Sequence, residues 1–125
     1  MDIQTKYFTP AEATKTLPLV RMIVRDILAV SNKIKLKAEQ QGVKVDEDAD
    51  VKIMIEELKV YFQEIEDLGC YYKDWDFSIG LVDFPSVING EEVYLCWRSD
   101  EEKITWYHPI SEGFTGRKHL PEEFL

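Results

Sequence analysis

Leu81-Val82-Asp83-Phe84-Pro85-Ser86-Val87-Ile88-Asn89-Gly90-Glu91-Glu92-Val93-Tyr94-Leu95-Cys96-Trp97-Arg98 reads as two strands joined by a tight turn. The run alternates and is rich in β-branched and aromatic residues, and Asn89-Gly90 suits a type I′ turn, whose two central residues both need positive φ. Setting the register from that turn pairs Val82 with Trp97, Phe84 with Leu95 and Ser86 with Val93 on one face, the face turned to the core. A second, looser turn at Ser99-Asp100-Glu101-Glu102 leads into Ile104-Thr105-Trp106-Tyr107-His108, and counting on places Ile104, Trp106 and His108 on the core face too. The opposite face then carries Asp83, Tyr94, Cys96, Arg98 and Tyr107. Pro85 has no N–H to give a ladder, so its strand is expected at an edge or with a bulge, and Pro109 is expected to lead the last strand out of the sheet.

Upstream, the period is helical. Thr9-Pro10-Ala11-Glu12 carries an N-cap, a first-turn proline and the glutamate of a capping box, and Leu17, Val20, Val24, Ile27, Ile34 and Ala38 follow on one stripe up to Gln41-Gly42. Pro18 should bend this helix, with Thr16 available to recap it. The acidic run Asp46-Glu47-Asp48-Ala49-Asp50 opens a second helix, whose stripe is Val51, Ile55, Leu58, Phe62, Ile65 and Leu68 and whose stop is Gly69. The expected architecture is α+β in a single domain, 1–125. Residues 9–42 and 48–68 form a long antiparallel hairpin with coiled-coil-like spacing, and a β-rich cap, 70–125, holds a small three-stranded antiparallel meander. At about 1.5 Å per residue the first helix would reach about 45 Å, longer than such a sheet covers. Ile23, Val30 and Leu36 lie outside the main stripe, so a homodimer through the helices is expected.

Composition narrows the classes of function. With 125 residues, 45% hydrophobic and 31% charged, the chain has the makings of a folded protein. A net charge of −9 argues against a nucleic-acid partner. The charge is uneven: residues 1 to 44 hold eight Lys or Arg against four Asp or Glu, or +4, and residues 45 to 125 hold seven against twenty, or −13. A basic first helix lying on an acidic remainder accounts for this, and Arg21, Arg25, Lys33, Lys35 and Lys37 could instead form an anion- or partner-binding stripe. Met1-Asp2-Ile3-Gln4 lacks the basic and apolar segments of a signal peptide, and no stretch is apolar for long enough to span a membrane. A cytoplasmic protein without a membrane partner is expected, with Cys70 and Cys96 reduced.

The residues with chemistry cluster late in the chain. Asp83 sits among apolar neighbours and needs a partner, for which Arg98 is a diagonal cross-strand neighbour and Arg117 could arrive from the last loop. His108, at the rim of the core face, is either a hydrogen-bonded structural residue or a functional group, a general acid or base near neutral pH or a metal ligand. Gly113-Phe114-Thr115-Gly116-Arg117 could expose backbone N–H groups beside a cation, a concavity suited to carboxylate or phosphate. Cys96 on the face opposite His108 has no base to activate it. Asp83, Glu101, His108 and His119 show no metal-ligand spacing, so no metal is expected and no cofactor is indicated. These residues support a binding or interaction module with a small anion-recognising site built from Asp83, His108, Arg117, Arg98, Gly113 and Gly116. The competing reading is a small enzyme using His108 as acid or base with Arg117 and Asp83, with or without a metal.

With these motifs assembled, the chain resembles the family known as domain of unknown function 2203, small and mainly prokaryotic proteins. The resemblance runs from Phe8-Thr9-Pro10-Ala11-Glu12-Ala13 and Leu17-Pro18-Leu19 through Leu68-Gly69, Gly80-Leu81-Val82-Asp83-Phe84-Pro85, Tyr94-Leu95-Cys96-Trp97 and Trp106-Tyr107-His108 to Gly113-Phe114-Thr115-Gly116-Arg117. It departs at His119, where the family usually has proline. The resemblance implies a fold and a set of characteristic positions; it brings no activity, substrate or cofactor with it.

Overall fold

The first helix starts where the sequence signals it. In a computed structural model, which describes residues 5–74 and 79–125 and only the backbone of Val43, α1 spans Pro10–Gln41. Met1-Asp2-Ile3-Gln4, read above for a leader, lies outside the described residues. Thr9 Oγ1 accepts the Glu12 N–H at 3.1 Å while the Glu12 carboxylate accepts the Thr9 N–H at 2.9 Å, which closes the capping box. The helix continues through Pro18. The recap expected at Thr16 does not form, because its hydroxyl donates back to the Glu12 carbonyl at 3.0 Å.

A 3-10 turn, Gly42–Glu47, leads to α2, Ala49–Asp67. Asp48 holds this corner with both carboxylate oxygens. Oδ1 accepts the N–H groups of Asp50 and Val51 at 2.8 and 3.1 Å, and Oδ2 accepts from Gln41 Nε2 at 2.7 Å and Lys37 Nζ at 3.1 Å. Hydrogen bonds from Gln41, the Val51 amide and Lys37 all favour the ionised form, so the carboxyl is held far below the usual range. One side chain thereby caps α2 and ties it to the end of α1.

The hairpin's apolar faces differ in width. Val51, Leu58 and Ile65 are buried along α2, with Met54, Tyr61 and Phe62 partly buried between them and Leu68 just beyond, a narrow seam that leaves Ile55 exposed. On α1 the buried face is broader, since it meets both α2 and the sheet. Ile23 and Val30, expected to point toward another subunit, are 5% and 7% exposed and belong to the core. Leu36 stays outside, at 52%. Of the basic stripe, Lys37 pairs with Asp48, and Arg21 donates to the backbone carbonyls of Glu101 and Glu102. No helix of the described residues is long and apolar enough to cross a membrane.

Among the described residues the sheet is an antiparallel meander of five strands, β1 (Tyr71–Tyr72), β2 (Leu81–Ile88), β3 (Glu91–Arg98), β4 (Trp106–Pro109) and β5 (Lys118–His119), ordered as in the chain. The three expected strands are its centre, with a two-residue strand added at each edge. Asn89 and Gly90 have φ of 52° and 80°, and the β2–β3 register follows the turn: Val82 opposes Trp97, Phe84 opposes Leu95 and Ser86 opposes Val93. These six residues, with Ile88, are buried against the helices. Pro85 sits in this ladder without a bulge. Its carbonyl accepts the Phe8 N–H at 2.7 Å, so its nitrogen also faces the N-terminal segment and not β3. The pairing of β2 with β1 ends at Asp83, leaving Pro85 locally at an edge.

The β3–β4 register differs by one residue from the expected one. Leu95 opposes Tyr107 and Cys96 opposes Trp106, where the short turn would have put Trp106 opposite Leu95. The connection runs from Ser99 to Thr105 and is shaped by its own contacts. Glu101 Oε1 accepts the Arg98 N–H at 2.8 Å, the Trp97 indole donates to the Glu101 carbonyl at 2.9 Å, and Arg21 reaches across from α1. A slip of one exchanges the two faces of a strand. Tyr107 therefore packs on the core, and Trp106 and His108 turn to the outer face. Pro109, expected to leave the ladder, closes it opposite Val93.

Candidate functional site

The register change brings Asp83, Cys96 and His108 together on the sheet face away from the helices. Asp83 and Cys96 are cross-strand partners on β2 and β3, and His108 on β4 lies diagonal to Cys96, opposite Tyr94. All three are buried, at 5%, 1% and 4% exposure. His108 Nε2 is 3.3 Å from each Asp83 carboxylate oxygen, and Nδ1 is 2.9 Å from the Pro109 carbonyl. A carbonyl only accepts, so Nδ1 carries a hydrogen. The Asp83 carboxylate, aided by that carbonyl, raises the histidine's pKa against the opposing effect of burial. Burial, reinforced by the Asp83 charge, pushes the Cys96 thiol up to about 12. The thiol is therefore protonated near neutrality, and a free-thiolate nucleophile does not arise from this arrangement.

These groups floor a cavity of about 430 Å³. Leu81, Tyr94 and Phe114 give it apolar walls, and the exposed Lys73, Ile110 and Glu112 stand at its rim. The Lys73 ammonium lies 5.7 and 5.8 Å from the rings of Tyr71 and Tyr94, and Tyr94 packs against His108 with ring centroids 5.6 Å apart. A larger cleft of about 970 Å³ runs between the N-terminal segment and the chain's end, past Tyr7, Pro10, Val87 and Phe124. It has the greater volume, yet the histidine, aspartate and cysteine converge on the smaller cavity, which is the better candidate on chemical grounds.

The remaining residues singled out in the sequence have other partners. Arg117 Nη2 lies 2.8 and 2.9 Å from the two Glu101 carboxylate oxygens and donates to the Cys96 carbonyl at 3.2 Å, while its guanidinium sits over Trp106 and Phe114 at 4.6 and 4.7 Å. Arg98 pairs with Asp100 at 2.6 Å. The partner of Asp83 is thus His108, and neither arginine. Gly113 lines the cavity, but Gly113 and Gly116 both lack positive φ, and the N–H groups of Gly116 and Arg117 close a 3-10 turn on the carbonyls of Gly113 and Phe114. Two of the N–H groups expected to face a ligand there, those of Gly116 and Arg117, are thus bonded within the turn. His119 stacks on Trp106 at 3.7 Å, on β5.

Counting register from the second turn sets Cys96 on the face opposite His108. A connection that long carries no register signal, and Glu101, three residues beyond Arg98, was the available hint that the loop binds itself. Lys73 and Glu112 belong to no motif, and Tyr94 enters only through Tyr94-Leu95-Cys96-Trp97.

No curated protein and no solved structure matches the chain. The model of an uncharacterized conserved protein family, DUF2203, matches residues 6–120, nearly the full length and every strand described above, so the chain belongs to the DUF2203 family.

Proposed function

We propose that this protein is a small-ligand-binding module whose ligand sits in the cavity over Asp83, Cys96 and His108 and offers an anionic group to Lys73. The observation that carries the reading is a buried polar floor beneath an open cavity with apolar walls. Burying such groups is costly, and apolar residues would serve the fold as well. Arg98 and Arg117 shape the wall through Phe114, over which both guanidinium groups lie. The enzymatic alternative, His108 as acid or base with Arg117 and Asp83, draws support from the Asp83–His108 contact, while Arg117 is engaged by Glu101. Two buried free cysteines fit a reducing cytoplasm.

Thermal-shift measurements with phosphate, sulfate and small mono-, di- and tricarboxylates test this. At least one of these anions is expected to raise the unfolding midpoint of the wild type, and to do so much less in Lys73→Ala and in Ser111→Trp, which obstructs the mouth. A panel without effect, or an effect unchanged in both variants, overturns the reading.

The homodimer through the helices belongs to the same proposal. It is supported by the exposed Leu36, Ile53 and Val60, and by a cleft at the hairpin end where Lys33 and Lys37 stand with Asp50 and Glu57, so that a two-fold copy could meet each charge with its opposite. Light scattering at micromolar concentration is expected to give twice the chain mass; the mass of a monomer removes this part.

A further inference from the structure

Asp83, Cys96 and His108 present a carboxylate oxygen, a thiol sulfur and a ring nitrogen that all lie within 4.8 Å of one another. They come from three adjacent hydrogen-bonded strands, so their backbones are fixed relative to each other. Donors placed tetrahedrally about zinc sit roughly 3.3–3.8 Å apart, so these three can close on one ion with side-chain shifts of about an ångström. The Asp83–His108 separation already has that size. At 3.3 Å to both carboxylate oxygens it is longer than the roughly 2.7–2.9 Å of a charge-assisted hydrogen bond, and it is nearly symmetric. His108 Nδ1 is held on the Pro109 carbonyl, the outer contact that turns the Nε2 lone pair of a neutral imidazole toward a metal.

We propose that Asp83 Oδ, Cys96 Sγ and His108 Nε2 form a three-ligand zinc site whose fourth position opens into the cavity. The mixture of donors selects the metal: a thiolate disfavours magnesium and calcium, and carboxylate, imidazole and thiolate together suit zinc. Binding displaces to solvent the Cys96 thiol proton and, wherever His108 is protonated, the Nε2 proton that faces Asp83, and no other covalent bond changes. Three protein ligands with one open position is the pattern of zinc sites that act on a ligand, whereas purely structural sites are closed by four. The inference rests on the cavity reading and deepens it, since an anionic oxygen of the cavity's occupant would take the open position.

Cobalt(II), a spectroscopic substitute for zinc, tests the site on the full chain after treatment with chelator. The expected result is a single step ending at one Co²⁺ per chain, with thiolate-to-cobalt charge-transfer absorption and the intense visible bands of a four-coordinate ion, all reversed by one equivalent of Zn²⁺. Cys96→Ser is expected to lose the charge-transfer band, and Asp83→Asn to lose the stoichiometric step. Should either variant fail to fold, competition of the wild type with a chromophoric chelator for Zn²⁺ supplies the stoichiometry, and Cys70→Ser must leave the spectrum intact. Absence of a stoichiometric step in the wild type, or an unchanged charge-transfer band in Cys96→Ser, overturns the site. The anion screen repeated on metal-free protein separates the two ideas. Anion binding without cobalt binding ends the zinc site alone, and cobalt binding without any anion response, with or without metal, ends the cavity-ligand reading alone.

Discussion

Gly80→Ala is expected to destabilise the protein by about 2–5 kcal/mol, the sum of a left-handed backbone penalty of about 1–2 and an overpacking cost of about 1–3. Gly80 immediately precedes β2 with φ of +66°, and a Cβ there would stand 2.6 Å from Val24 Cγ1 on α1, closer than real atoms approach. Val24 is itself fully buried between helix and sheet, so it cannot retreat. The surrounding backbone is also held: the Gly80 N–H donates to the buried Asp74 carboxylate at 2.9 Å, and the Gly80 carbonyl accepts the Ser99 N–H at 2.9 Å. Gly90→Ala is the control. Its φ is +80°, yet nothing lies within 4 Å of the added Cβ, so only the backbone penalty of about 1–2 kcal/mol applies. Urea unfolding of the two variants compares them directly. Equal losses would show that the contact with Val24 relaxes freely, contrary to the packing described for this corner.

His108→Ala, in metal-free protein, is expected to cost about 3–5 kcal/mol, because it leaves the Asp83 carboxylate buried without its partner. Asp83 is 5% exposed and lies between Val82 and Phe84, with Cys96 across the ladder, and none of these supplies a compensating charge. Asp83→Ala should also destabilise. The double variant should lose less than the sum of the singles, by a coupling of about 0.5–3 kcal/mol, since removal of both partners leaves no stranded charge. Chemical denaturation of all four proteins in chelator measures the cycle. Additive losses, or a loss below about 1 kcal/mol for His108→Ala, would mean that water reaches the pair and that the floor of the cavity is not buried in solution.

Some of this site was legible in the sequence. Asp83 demanded a partner because an ionised carboxylate between Val82 and Phe84 could not stand alone, and His108 was the right kind of residue to notice. Spacing alone points Asp83 to an arginine, and the structure pairs it with His108 instead. Arg98 found Asp100 two residues away, and Arg117 found Glu101, which the connecting loop turns back toward the sheet. Cys96 could not be read as part of a site while it was counted on the opposite face from His108. The narrow seam of α2 and the broad one of α1 also follow from packing against more than one neighbour, which helical period alone does not reveal.

What the chain settled by itself was local. The Thr9 and Asp48 caps, the Asn89-Gly90 turn and the pairing it sets between β2 and β3 depend on residues within a few positions of one another, so propensity and hydrogen-bonding chemistry are enough to specify them. What the tertiary structure decided was the β3–β4 register, and with it the face on which His108 stands. That choice rests on contacts between residues far apart in sequence, with Arg21 on the loop carbonyls, Tyr107 and Ile104 against the core, and β5 beside β4. A strand's side chains alternate, so one residue of register, set by those distant contacts, separates a histidine lost in the core from one that meets an aspartate and a cysteine beneath an open cavity.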